Sequence, residues 1–158
     1  ELGTSPEQGS FALTVFFSIG IFMTYIGGLL GDKYGPIKII RLSLLIWLPS
    51  MFLLTQVPEF SVTIMMPLAY LILLMIGAAK AISYSPVIVL GQTYLAKSIG
   101  FASGITLGVS QTIGGIIAPI VGNLADTYSL PVAMMTLVPF LIVGLGASLL
   151  LKDPKKLQ

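Results

Sequence analysis

Few residues in this chain could do chemistry, and their placement is selective. Histidine and cysteine are both absent. That removes the usual metal ligand, the base that titrates near neutral pH and the thiolate nucleophile. No Asp or Glu falls inside a long apolar stretch, so a proteolytic dyad or a carboxylate metal site has no residues there to use. An enzyme is the least favoured function class, and no cofactor or metal is expected. What remains is one cation, Lys80, in the apolar run that begins near Val62. A charge at the centre of a bilayer costs about 3 kcal/mol on insertion scales, and such residues are functional by default. Lys80 could bind an anionic substrate or pair with a carboxylate. Tyr84 and Pro86 beside it could add a polar contact and a kink. The second set is Thr106, Ser110, Gln111 and Thr112, polar side chains within another apolar run. A helix carrying them should face a cavity or other helices rather than lipid. Hydrogen bonding between helices is the alternative role for each.

The elements that must hold these residues are membrane spans. Only 9% of the 158 residues are charged and 56% are hydrophobic, against about 25% charged in soluble domains; the mean hydropathy of +1.01 agrees. A helix crosses a bilayer with about 20 mostly apolar residues. Five runs approach or exceed that length, at about 11–30, 37–55, 62–90, 101–122 and 131–151. Stretches such as LAYLILLMIG lack the alternation of a membrane β-strand. The fold class is therefore all-α, a polytopic membrane helical bundle. Pro49, Pro67, Pro119 and Pro139 lie inside runs and should kink their helices rather than break them. The third run has two readings. If it stops near Ala81, Lys80 reaches out to the interface. If it continues to Leu90, Lys80 lies about 15 Å from that end, near the midplane.

Charge gives the orientation. Lys33, Lys38 and Arg41 lie between runs one and two, Lys97 between three and four, and Lys152, Lys155 and Lys156 in the tail. These are alternate connections, so all fall on one side, expected to be cytoplasmic. The other connections, ELGTSPEQGS, QVPEFS and NLADTYSL, hold no base. The expectation is a multi-pass protein of the cell membrane with residue 1 outside and the C-terminus inside. The net charge of +2, with no basic patch interleaved with aromatics, excludes nucleic acid as a partner; the partner expected first is the lipid bilayer. The polar, acidic start without Met, and an odd number of spans entered from outside, lead us to expect a piece of a longer chain that has lost an upstream helix.

Three motifs carry a resemblance. Gly28–Gly35 reads GLLGDKYG, followed by Pro36 and Lys38. A tight basic turn with an Asp between two spans resembles the signature loop of the major facilitator superfamily, G-x-L-A-D-R-x-G-R-K. Gly28, Leu30, Asp32 and Gly35 match, Lys33 stands for Arg, and Lys38 lies near the last basic position. Gly31 replaces Ala and Pro36 replaces Arg. Gly35 permits the turn, and Asp32 is an anion able to dock on a helix N-terminus. A plain positive-inside turn is the bland alternative. Gly122–Ser129, GNLADTYS, repeats GLLGDKYG in register at Gly, Leu, Asp and Tyr, as in transporters built from repeated units. In run four, Gly100, Gly104 and Gly108 recur every fourth residue, as do Ser110, Gly114, Ala118 and Gly122; small residues at that spacing let helices approach closely. GGIIAPIVG, with Pro119, is similar to the kinked Gly-Pro signature of proton antiporters, and here it implies tight packing rather than antiport.

The resemblance implies the C-terminal half of a twelve-helix transporter, the five spans standing for helices eight to twelve. Spans two and five are the greasiest and are expected to face lipid. The resemblance narrows over residues 89–126 to fosmidomycin-resistance-type efflux carriers, through Gln92, Leu95, Lys97, Ile99–Gly100 and the Gly122–Asp126 ending. It implies export of a small amphipathic or anionic compound by alternating access, with protons as the candidate coupling ion. No carboxylate in these spans could carry that proton. Asp32 would contact a helix start in the absent N-terminal half, and the region Ser98–Gly100 would receive the matching Asp. Uptake or exchange of organic anions, and a membrane scaffold subunit without transport, are the rival readings.

Overall fold

The structure, a computed structural model, describes residues 6–56 and 62–152. Six α-helices follow in order: α1 (Pro6–Tyr34), α2 (Pro36–Gln56), α3 (Val62–Tyr94), α4 (Ile99–Thr127), α5 (Leu130–Met135) and α6 (Val138–Leu150), with a 3₁₀ turn over Ala96–Ser98 before α4. No strand occurs among the described residues. Five segments are long and apolar enough to cross a membrane: Leu13–Tyr34, Pro36–Gln56, Pro67–Tyr94, Ala96–Thr127 and Leu130–Leu150. This is the all-α membrane bundle expected. Lys155 and Lys156 of the tail, and Glu1 and Glu59 of the acidic connections, lie outside the described residues.

Two expectations about helix continuity divide. Pro49, Pro67, Pro86 and Pro119 each lie inside an unbroken helix. At Pro139 the expected kink is a break. The fifth span is two helices, α5 and α6, parted at Thr136–Leu137, with Pro139 in the first turn of α6. Proline has no N–H to lose at a helix start, so position 139 itself leaves no donor unmet. The third run takes the longer of its two readings. α3 has 33 residues and continues past Leu90 to Tyr94, with Lys80 about 27 Å along the axis from Val62 and about 21 Å from Tyr94.

The packing centres on α2 and α3. Met51, Ala69, Ile72, Ile76 and Leu141 form one buried cluster, with Phe16, Trp47 and Leu48 against it. Ile37, Ile40 and Leu90 form a second, near the basic connections. The expectation that span two faces lipid is corrected: α2 buries Ile37, Ile40, Ser43, Ser50, Met51 and Thr55 along one face. Its buried hydroxyls are satisfied locally, Ser43 and Ser50 donating to the carbonyls of Ile40 (2.8 Å) and Ile46 (2.7 Å). Only its other face, with Leu42, Leu45, Phe52 and Leu53, is exposed.

The described bases of the connections gather at one end of the bundle. There the Arg41 guanidinium donates to the carbonyls of Ser148 (3.0 and 2.8 Å), Leu149 (3.3 Å) and Leu151 (3.4 Å). The last carbonyls of a helix have no partner within it and carry partial negative charge, so Arg41 closes the end of α6. The Tyr94 hydroxyl donates to the Lys152 carbonyl at 2.5 Å. These contacts bring the α1–α2 turn, the end of α3 and the end of α6 together, and Lys33, Lys38, Arg41 and Lys152 with them.

Candidate functional site

Lys80 and Tyr84 meet in a groove between α1 and α3. The groove holds about 350 Å³ and is lined by Phe16, Phe17, Gly20, Ile21 and Thr24 from α1 and by Gly77, Lys80, Ala81 and Tyr84 from α3. Its location follows from residue size. Glycines on α1 face α3 closely, Gly20 against Ala81, Gly27 against Ile82, Gly28 against Ser85 and Gly31 against Pro86, and on α3 Gly77 faces Phe16. A Cβ at Gly27 would collide with the backbone of Ile82, one at Gly28 would sit 3.2 Å from the Ser85 hydroxyl, and one at Gly31 3.2 Å from the Pro86 ring. Without side chains at these positions the helices approach closely, and the groove opens where bulk returns at Phe16 and Phe17.

The Lys80 ammonium lies 5.9 Å from the centre of the Phe16 ring, within range for attraction to the ring face. Phe16 is held in turn by Phe17, edge to face at 5.6 Å, and by Gly77, where a Cβ would come within 2.9 Å of the ring. The Thr24 hydroxyl donates to the Gly20 carbonyl at 2.8 Å, so only its acceptor side is available. The groove is lined by one cation and no carboxylate.

The other candidate cavity residues do not join this groove. Thr106 sits where α4 crosses α3, against Gly91, whose Cβ would come within 2.6 Å of its hydroxyl. Beside it Gln92 donates to Ser103 at 2.8 Å. Ser110 turns back to the carbonyls of Thr106 (2.6 Å) and Leu107 (3.0 Å), and Thr112 to that of Gly108 (2.9 Å). Ser110 and Gln111 are exposed. Nothing in the described chain lies within 4 Å of a Cβ placed at Gly100, Gly104, Gly108, Gly114 or Gly122, and Ala118 and Pro119 are exposed as well. The stripe therefore has no partner among the described residues.

The signature loop is mostly helix. Gly28 to Tyr34 form the last turns of α1, and Gly35 alone makes the turn, with φ of +93°. Its N–H donates to Gly31 at 2.9 Å and its carbonyl accepts from Ile39 at 3.4 Å, so the chain reverses within one residue. Asp32, Lys33 and Lys38 are exposed, with the Lys33 ammonium 5.2 Å from the Tyr34 ring. In the repeat GNLADTYS Asp126 likewise lies in the last turn of its helix, α4, but the turn has no left-handed residue; an extended Ser129 caps α5, accepting from Val132 at 3.5 Å.

The Major Facilitator Superfamily matches this chain over residues 1–158. The chain belongs to that superfamily. It is 32% identical over 151 residues, 96% of this chain, to YfnC of Bacillus subtilis (strain 168), described as an uncharacterized MFS-type transporter. The chain spans 35% of the length of that relative. No solved structure matches. Superfamily membership and the five apolar helices together make this a multi-pass membrane protein.

Sequence reasoning missed Phe16, Thr24 and the glycine seam of α1. Small residues four apart were visible at Gly20, Thr24 and Gly28, and again at Gly27 and Gly31. The rule applied to run four would have found them.

Proposed function

We propose that the chain supplies helices eight to twelve of a twelve-helix secondary transporter, related to fosmidomycin-resistance-type efflux carriers, which exports a small amphipathic or anionic compound across the cell membrane. The observation that carries this reading is Lys80, a cation midway along a long apolar helix, in a groove without a carboxylate. An ion held at that depth marks a substrate or ion path by default. Alternating access would rock this bundle against an N-terminal one about a midplane site. The basic end faces the cytoplasm, with Asp32 docking on a helix start of the other bundle. α4, whose small-residue stripe is uncovered, packs against helices outside this chain. The coupling ion, for which protons are the first candidate, is carried outside these spans.

The test is growth of an efflux-deficient strain on a panel of toxic compounds, with the full-length protein or its Lys80→Ala variant. Resistance that falls to the empty-vector level in the variant, at equal membrane abundance, supports the reading. Unchanged resistance removes Lys80 from the site. The 158 residues alone should accumulate nothing in vesicles under an imposed ion gradient. The same cation suits an uptake or exchange carrier for organic anions; substrate accumulation in cells, in place of resistance, would favour that second reading.

A further inference from the structure

The groove differs from a general hydrophobic cleft in the arrangement of its polar atoms. Tyr84 follows Lys80 by one helical turn, which sets the two side chains on one face. Its hydroxyl has no hydrogen-bond partner among the described residues, and it lines the groove. The other hydroxyl on the groove wall is committed, Thr24 to Gly20, and so is that of Ser83, to the Lys80 carbonyl at 2.9 Å. Two donors are thus free, an ammonium and a phenol. The Phe16 ring lies 5.9 Å from the ammonium on one side, and Lys80 is otherwise exposed toward the groove. Beyond the donors the wall is aromatic and aliphatic: Phe16, Phe17 and Ile21. The volume of about 350 Å³ is at the small end of ligand sites, which run from roughly 300 to 1,000 Å³.

We propose that this groove binds a small aromatic monoanion, a carboxylate of the aryl-alkyl type. Its charged head is held by the Lys80 ammonium and the Tyr84 hydroxyl, and its ring lies along Phe16 and Phe17. The proposal rests on the transporter reading above and narrows its substrate class. Phe16 is a positioning residue: its ring sets where the ammonium stands, and Gly77 makes room for the ring. Neutral amides lose the attraction of the ammonium, and amines are repelled by it. Dications and bulky polycyclic compounds are not substrates.

The test uses the full-length protein in lipid nanodiscs. The probes are radiolabelled 4-phenylbutyrate and 2-naphthoate, with 4-phenylbutanamide and 4-phenylbutylamine as competitors. The carboxylates should compete at least about tenfold better than the amide, and Lys80→Met should remove that preference, as the loss of one charge pair worth a tenfold change in Kd. Tyr84→Phe should weaken carboxylate binding roughly threefold and amide binding less, because the charged acceptor makes the stronger hydrogen bond. Gly77→Ala should weaken it by displacing Phe16. Equal competition by amide and carboxylate overturns the proposal, as does a preference that survives Lys80→Met. If Lys80→Met does not fold, Tyr84→Phe decides: an unchanged carboxylate-to-amide ratio overturns it. Transport in proteoliposomes separates the two levels. Lys80-dependent carboxylate binding in a protein that moves no compound upholds the site and sinks the transporter reading. Export of other compounds with no carboxylate preference overturns the site alone.

Discussion

Two glycine seams run through this chain, and they have opposite surroundings. On α1, the glycines meet α3 so closely that a methyl group at Gly27 would strike the backbone of Ile82. On α4, a methyl group at Gly100, Gly104, Gly108, Gly114 or Gly122 would meet nothing. The spacing is alike, and the same rule of small residues every fourth position applies to both. The difference is the partner. α1 has found its neighbour within the chain. α4 meets α3 around Gly91, Gln92, Ser103 and Thr106, and its one buried residue is Ala102. The fold shows which helix fills the α1 seam; on α4 the same spacing has no helix against it among the described residues. The polar character of α4 points the same way: its hydroxyls at Ser110 and Thr112 are turned onto their own backbone, which satisfies them without a neighbour.

The comparison is broken most severely at Gly27. Gly27→Ala places a methyl against a main-chain carbonyl, which has no rotamer to yield. Overpacking costs about 1–3 kcal/mol and occasionally more, and a backbone obstacle belongs at the upper end, about 3 kcal/mol. Unfolding of the purified chain in detergent, followed by circular dichroism, should show that loss, together with separation of α1 from α3 in a cross-linking assay. A neutral outcome would mean that the α1–α3 seam is looser than its geometry. Next in size is Arg41→Ala. Its guanidinium holds the carbonyl end of α6 at four contacts, and hydrogen bonds to a charged group contribute about 1.5–3 kcal/mol each when buried. Half-burial and residual hydration reduce the expected cost to roughly 1–2 kcal/mol in the same assay. Arg41→Lys should recover only part of it, because an ammonium cannot present the planar fork.

These effects also mark how far the sequence could be read. The spans, the helical class and the one-sided bases were legible because each depends on composition over about 20 residues, which no local contact overrides. Lys80 was legible as a lone charge in an apolar run, and Tyr84 as the polar side chain one turn later; both line the α1–α3 groove. Phe16 was not legible, since a Phe among apolar neighbours gives no sign that it lies under an ammonium. Arg41 was counted among the loop bases, and its hold on Ser148, more than 100 residues away (|i−j| of 107), depends on how α2 and α6 cross. The expected lipid-facing role of span two failed because bulk alone does not separate a lipid face from a core face; the buried face of α2 includes Ser43 and Ser50. At Pro139 the break follows from a turn at Thr136–Leu137 that no residue type there announces.

The smallest effect is the most discriminating. Gly104→Ala on α4 meets open space, so within this chain it should act through helix propensity alone. Alanine is better than glycine in the middle of a helix by roughly 0.5–1 kcal/mol, and the lower end of that range is expected at an exposed site. The 158-residue chain should therefore gain about 0.5 kcal/mol. In the full-length protein the outcome should reverse, because the proposed neighbour of α4 lies outside these residues and would meet the new methyl. A gain in both contexts would show that the α4 stripe faces lipid or water throughout, and the packing reading of Gly104 and Gly108 would end there. A gain in the chain with a loss in the whole protein would assign the stripe to a contact that only the intact transporter completes. Gly27→Ala, by contrast, should cost stability in both, since its neighbour Ile82 is present in both. The sign difference between these two substitutions, more than the size of either, separates a seam that is filled from one that is waiting.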